Sequence, residues 1–223
     1  YRRALGPVAS QVVGETTEPI SNTQETLFGT FRGESPLGNL IADAQLAATD
    51  NEQGAVAAFM NPGGVRASLD AGPVTYEEAF TVQPFANNLV TLDLTGAQLY
   101  CLLEQQFVET STRRPTTLQP SASVSYVVNP SGTTAPADNP CVGTRVVRDS
   151  LTIGGTPVVD TATYRITVNN FLAGGGDGFG VLTQGTNRIT GMIDLDAFTA
   201  YLTANSPVSA PAINRIRTTA EAG

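Results

Sequence analysis

Two places in this chain oblige a strand to stop. Ala55 to Met60 is a short apolar run of strand character that breaks into Asn61-Pro62-Gly63-Gly64-Val65-Arg66. Tyr164 to Asn169 alternates as a strand and runs into Asn170-Phe171-Leu172-Ala173-Gly174-Gly175-Gly176-Asp177-Gly178-Phe179. Proline cannot donate to a ladder, and glycine admits tight turns and close backbone approach. Each strand therefore delivers polar side chains onto a tight loop, which suits binding. Reactive groups are scarce: the 223 residues include no histidine, lysine or tryptophan, and all 12 positive side chains are arginines.

The rest of the chain reads as mixed elements. Ser35-Pro36 predicts a helix start, with Leu37, Leu40, Ile41, Ala44 and Ala48 at helical spacing. Thr75-Tyr76-Glu77-Glu78 and Thr95 to Gln98 are capping boxes, the second opening a helix to about Phe107. Leu89 to Leu94, Ser123 to Val128 and Val146 to Ile153 read as strands, and Asp194 to Ala204 as a late helix. Val8 to Val13 could be a short strand, Gly14 to Glu25 reads as a linker or extended arm, residues 110 to 120 as a polar loop, and Ala220 to Gly223 as a frayed tail. Strands and helices mix without regular alternation, which predicts an α+β architecture rather than a doubly wound sheet.

The net charge of −8 argues against duplex nucleic acid as a partner, because neutralising phosphates needs a basic surface. An anionic ligand is still possible at a local arginine. No apolar run approaches the ~20 residues that span a bilayer. A start at Tyr1 without a leader pattern reads as a mature form or an excised piece. Cys101 and Cys141 are the only cysteines and cannot make a zinc site without histidine. In an exported protein they could be bridged, the reading preferred here; otherwise they are two separate buried thiols.

Without histidine there is no Ser-His or Cys-His nucleophile, and without lysine no Schiff base and no P-loop. Glu77, Glu78, Glu104 and Glu109 could in principle supply a glycosidase pair. The plainer reading is helix-terminus and surface charge. Arg66, after a Gly-Gly turn, could hold phosphate or ribose oxygens or be a surface arginine. Asp177, among glycines, could accept from sugar hydroxyls or serve the turn. Phe85 and Phe171 stand where regular structure breaks into loop. Such aromatics are usually core, but a pair of them could sandwich a base at ~1–3 kcal/mol per stack.

Four ordered motifs carry a resemblance: Glu34-Ser35-Pro36-Leu37-Gly38-Asn39-Leu40-Ile41-Ala42-Asp43-Ala44, Asn61 to Arg66, Val74 to Phe85, and Asn170 to Phe179. Together they resemble the C-terminal domain of the 5'-nucleotidases, a family that includes UDP-sugar hydrolases and 2',3'-cyclic phosphodiesterases. The resemblance covers about residues 30 to 205 and implies a layered α/β/β/α fold. It implies that residues 28–223 are a substrate-binding domain. Residues 1–27 would be a linker or arm trailing a metallophosphatase domain that this sequence does not contain. That domain would hold two divalent metal ions and the catalytic groups, so no catalytic residue, metal or cofactor is expected here and the fragment alone should be inactive.

The partners implied are a nucleotide or nucleoside and the metallophosphatase domain of the same chain, in a secreted, cell-surface or periplasmic bacterial protein. Phe85 and Phe171 match the base clamp, Asp177 the ribose acceptor, and Asn61 and Arg66 polar groups near base, ribose and phosphate. Gly64 is a further candidate, as is Arg32, which is offset by one position from the family's upstream arginine. The alternative is a stand-alone nucleoside- or nucleotide-binding module.

Overall fold

The computed structural model describes residues 8–110 and 114–221. Its centre is a five-stranded mixed sheet in the order β12-β6-β11-β4-β7. These strands are β4 (Ala57–Met60), β6 (Asn88–Thr95), β7 (Gln119–Pro120), β11 (Thr163–Asn169) and β12 (Thr186–Ile193). A second sheet, β10-β9-β8-β13, joins β8 (Val124–Val128), β9 (Thr152–Ile153), β10 (Thr156–Pro157) and β13 (Ile216–Thr218). Two ribbons complete the set: β1 (Val12–Thr16) on β5 (Gly72–Thr75), and β2 (Thr26–Phe28) on β3 (Phe31–Arg32).

Side-chain alternation along the central strands separates two cores. Ala57, Phe59, Val90, Leu92, Leu94, Ile166 and Val168 face the helix α4 (Gly96–Gln105) and the second sheet, in one cluster with Leu99, Leu103, Tyr126 and Val128. On the opposite face, Met60 joins Leu37, Leu40 and Ile41 of α1 (Pro36–Ala47), Ala79 and Val82 of α3 (Tyr76–Val82), and Leu195, Phe198 and Leu202 of α6 (Asp194–Asn205). Between α1 and α3 lies the short α2 (Asp50–Gln53). The fold is α+β, as the unalternated order of elements predicts.

Three helix starts form as their residues dictate. The Ser35 hydroxyl accepts from Gly38 N with Pro36 in the first turn, and both capping boxes close, Thr75 with Glu78 and Thr95 with Gln98. Cys101 and Cys141 are joined by a disulfide.

Several expectations need correction. Of the presumed linker or arm, residues 1–7 lie outside the described residues. Val12–Thr16 is a strand paired antiparallel with Gly72–Thr75, and Ile20 is fully buried, exchanging backbone bonds with Leu69. The segment reads as polar because only Val13, Thr16 and Ile20 point inward. Val146 to Ile153 is not one strand: Arg148–Ser150 forms a 3-10 turn, held by the Ser150 hydroxyl, which contacts Val147 O and accepts from Val127 N. Within the polar loop, residues 111–113 lie outside the described residues and Gln119–Pro120 is a strand. In the presumed frayed tail, residues 222–223 also lie outside, whereas Glu221 accepts from Thr218 N at 2.7 Å.

Candidate functional site

Sheet topology explains why the two glycine segments meet. Strands β4 and β11 are parallel neighbours, with Ile166 opposite Ala57 and Thr167 opposite Ala58, so both leave the same end of the sheet. The first continues into Asn61 to Arg66 and the second into Asn170 to Phe179. Strand β6 is antiparallel to β11, with Leu89 opposite Asn169. Its beginning lies at that same end, and the loop before it carries Phe85, Ala86 and Asn87. Three loops thus converge outside the carboxyl ends of two parallel strands, the place where open sheets commonly bind ligands.

They enclose a cleft of about 430 Å³ lined by Asn61, Gly63, Gly64, Phe85, Asn87, Phe171 and Asp177. Phe85 is 56% and Phe171 46% exposed, which rules out the core reading of both rings. Two non-glycine residues on the rim have left-handed backbones, Ala86 with φ 51° and Asp177 with φ 54°. Such backbone costs of order 1–3 kcal/mol each and persists only where the surroundings impose it. Gly176 makes room for the Phe171 ring, since a Cβ there would come within 2.6 Å of it.

A line of side-chain amides connects the two segments beneath the cleft. Asn169 Oδ1 accepts from Leu172 N at 2.9 Å. Asn169 Nδ2 donates to Asn61 Oδ1 at 2.9 Å, and Asn61 Nδ2 donates to Asp177 Oδ2 at 3.0 Å. Asn170 Oδ1 accepts from Asn88 N at 3.1 Å and so ties the Phe171 loop to the start of β6.

Of the residues singled out from sequence, Asn61, Gly64, Phe85, Phe171 and Asp177 are brought together. Arg66 is exposed and adjacent but does not line the cleft: its guanidinium donates to Gly63 O at 3.2 Å and its backbone N to Val82 O at 2.9 Å. Arg32 sits in the β2–β3 ribbon, where it donates to Thr26 Oγ1 at 3.1 Å beside the stacked Phe28 and Phe31 rings. It has no part in the cleft.

The four glutamates do not assemble. Glu78 closes a capping box and exposed Glu109 pairs with Arg114. Buried Glu104 accepts from Val146 N at 2.7 Å, and burial raises its pKa. Gly63, Asn87 and Asn169 were not singled out from sequence. Gly63 lay within a quoted loop and Asn87 two residues beyond Phe85, whereas an asparagine ending a strand carries no pattern of its own.

Among the described residues no group of three or more His, Cys, Asp or Glu could hold an ion, and the sequence has no histidine. Nor is any described helix long and apolar enough to cross a membrane.

Comparison with known proteins identifies the family. The family described as "5'-nucleotidase, C-terminal domain" matches residues 12–184. The chain is 32% identical over 206 residues to the trifunctional nucleotide phosphoesterase YfkN of Bacillus subtilis, covering 91% of this chain and 13% of that protein. It is 33% identical over 178 residues to UshA of Escherichia coli, covering 78% of this chain and 28% of that protein. The crystal structure of a 5'-nucleotidase precursor from Thermus thermophilus superposes with a TM-score of 0.81 at 34% identity, covering 98% of this chain and 41% of that one. The chain therefore spans well under half of each of these relatives, and it belongs to the family of 5'-nucleotidase C-terminal domains.

Proposed function

We propose that the cleft holds the nucleoside part of a nucleotide. The carrying observation is that Phe85 and Phe171, both about half exposed, line one cleft with an acidic side chain, Asp177, at the same site. A planar base offers two apolar faces for the rings, and a carboxylate accepts from ribose hydroxyls. The phosphate would extend toward the exposed Arg66.

In this reading, hydrolysis of the phosphate ester belongs to a metallophosphatase domain of the same polypeptide. The two divalent ions held there would polarise the phosphoryl group and supply the attacking water. The present domain contributes binding and orientation. The names of the relatives, a nucleotide phosphoesterase and a 5'-nucleotidase, support this assignment, and the disulfide supports an exported, oxidising setting.

Calorimetric titration of the 223-residue chain with AMP, adenosine and UDP-glucose tests the reading. Saturable binding of at least one of them, lost in Phe171→Ala, is the expected result. No binding of any would overturn it. Metal-dependent release of phosphate from AMP by the pure chain would show that catalysis is not confined to another domain.

A further inference from the structure

We propose that Asn169, which lies beneath the cleft, is a positioning residue that fixes the hydrogen-bonding polarity of Asn61 and Asp177 and so governs recognition of a vicinal diol. This rests on the nucleoside reading above.

The argument follows from donors and acceptors. Asn169 is 1% exposed and sits at the junction of β11 with the short helix α5 (Asn170–Ala173). A backbone N–H can only donate, so the atom of Asn169 facing Leu172 N at 2.9 Å must be its oxygen. The amide nitrogen then points the other way, toward Asn61 at 2.9 Å, with the Met60 sulfur, a weak acceptor, at 3.6 Å. Asn61 must therefore turn its oxygen to Asn169 and its nitrogen to Asp177, at 3.0 Å. The far end agrees, because a carboxylate accepts.

A backbone N–H at one end and a carboxylate at the other thus fix the orientation of two successive amides between them. With Asn61 reversed, its carbonyl oxygen would face the carboxylate and repel it. Asp177 stands on left-handed backbone at φ 54°, and its Oδ2 is held by the Asn61 amide. A carboxylate offers about four acceptor positions. The Asn61 bond takes one of them, and a vicinal diol would need two more.

The test compares adenosine with 2',3'-dideoxyadenosine by calorimetric titration of the 223-residue chain and its Asn169→Ser variant. Serine can still cap Leu172 N but is too short to donate to Asn61. Wild type should prefer adenosine by about tenfold or more, the range for hydrogen bonds to a charged group. The variant should lose most of that preference while its affinity for the dideoxy compound stays within about twofold. Thermal unfolding checks that it folds. If it does not, Asn169→Asp at pH 8 keeps the cap and replaces the donor with an acceptor, and the same loss is expected. Equal weakening toward both ligands, or an unchanged preference, overturns the positioning role while leaving the nucleoside reading intact. Absence of any preference in wild type overturns the ribose assignment of Asp177, and the positioning role with it.

Discussion

The Phe171 ring covers Gly176 so closely that a Cβ on the glycine would lie 2.6 Å from Cε1 and Cζ of the ring. The ring's position is therefore set from below by the absence of a side chain. Gly176→Ala should displace Phe171 and weaken nucleoside binding about tenfold, comparable to losing much of one stacking contact. The Cβ would also lie 2.6 Å from the Phe171 carbonyl oxygen, so the loop backbone must shift and the variant should lose stability as well. Titration with adenosine alongside thermal unfolding checks this. Unchanged affinity would mean that the ring does not contact the base.

Arg66→Ala separates charge from architecture. The guanidinium is exposed and holds the Gly63 carbonyl at 3.2 Å. If it meets the phosphate, the variant should lose about tenfold in affinity for AMP and much less for adenosine. Equal losses for both would show that Arg66 serves only to shape the Gly63 turn.

Removal of the disulfide should destabilise without touching the cleft. Cys101 and Cys141 are 40 residues apart in sequence, and closing such a loop is worth about 4 kcal/mol in the chain-entropy model. The Cys101→Ser/Cys141→Ser double variant should melt about 10 °C lower. Its adenosine affinity, measured well below the transition, should match wild type.

How much of this was readable beforehand depended on whether local chemistry or tertiary pairing decided each element. Ser35-Pro36 and the two capping boxes specify helix starts within four residues, and all three formed. The cleft was legible because its strands end abruptly in glycine. Strand β12 was not legible. Thr186–Ile193 is exposed at seven of its eight positions, so no alternation marks it, and only its pairing with β6 makes it a strand. Strand β1 was only partly legible: the expected strand at Val8 to Val13 overlaps it at Val12 and Val13, and the rest depends on pairing with a segment far along the chain. Arg32 was chosen by its place relative to a motif, and it lies in the β2–β3 ribbon rather than at the cleft. Asn169 carried no signal at all, because its role comes from a partner more than 100 residues away.

Glu34 predicts an inverted pH dependence. Its side chain is 4% exposed and accepts from Arg215 N at 2.9 and 3.1 Å and from Ile216 N at 3.1 Å, fastening the start of β13 beside α1. Asn39 Nδ2 approaches at 3.5 Å, and the Arg215 guanidinium is committed to Asp43 at 2.7 Å. Desolvation outweighs these favourable contacts and pushes the Glu34 pKa up from 4.5 to about 7. The folded state therefore binds a proton that the unfolded state releases between those values. Stability must fall as pH rises from about 4.5 to 7, by about 3 kcal/mol from this group. Buried Glu104 and Asp194, also raised by desolvation, act in the same direction. Glu34→Gln isolates the contribution, since glutamine remains neutral and keeps one acceptor for the backbone donors. Denaturant unfolding at several pH values should show wild type losing stability toward neutrality and the variant with a clearly flatter profile. Parallel profiles would show that Glu34 titrates no differently in the folded and unfolded chains.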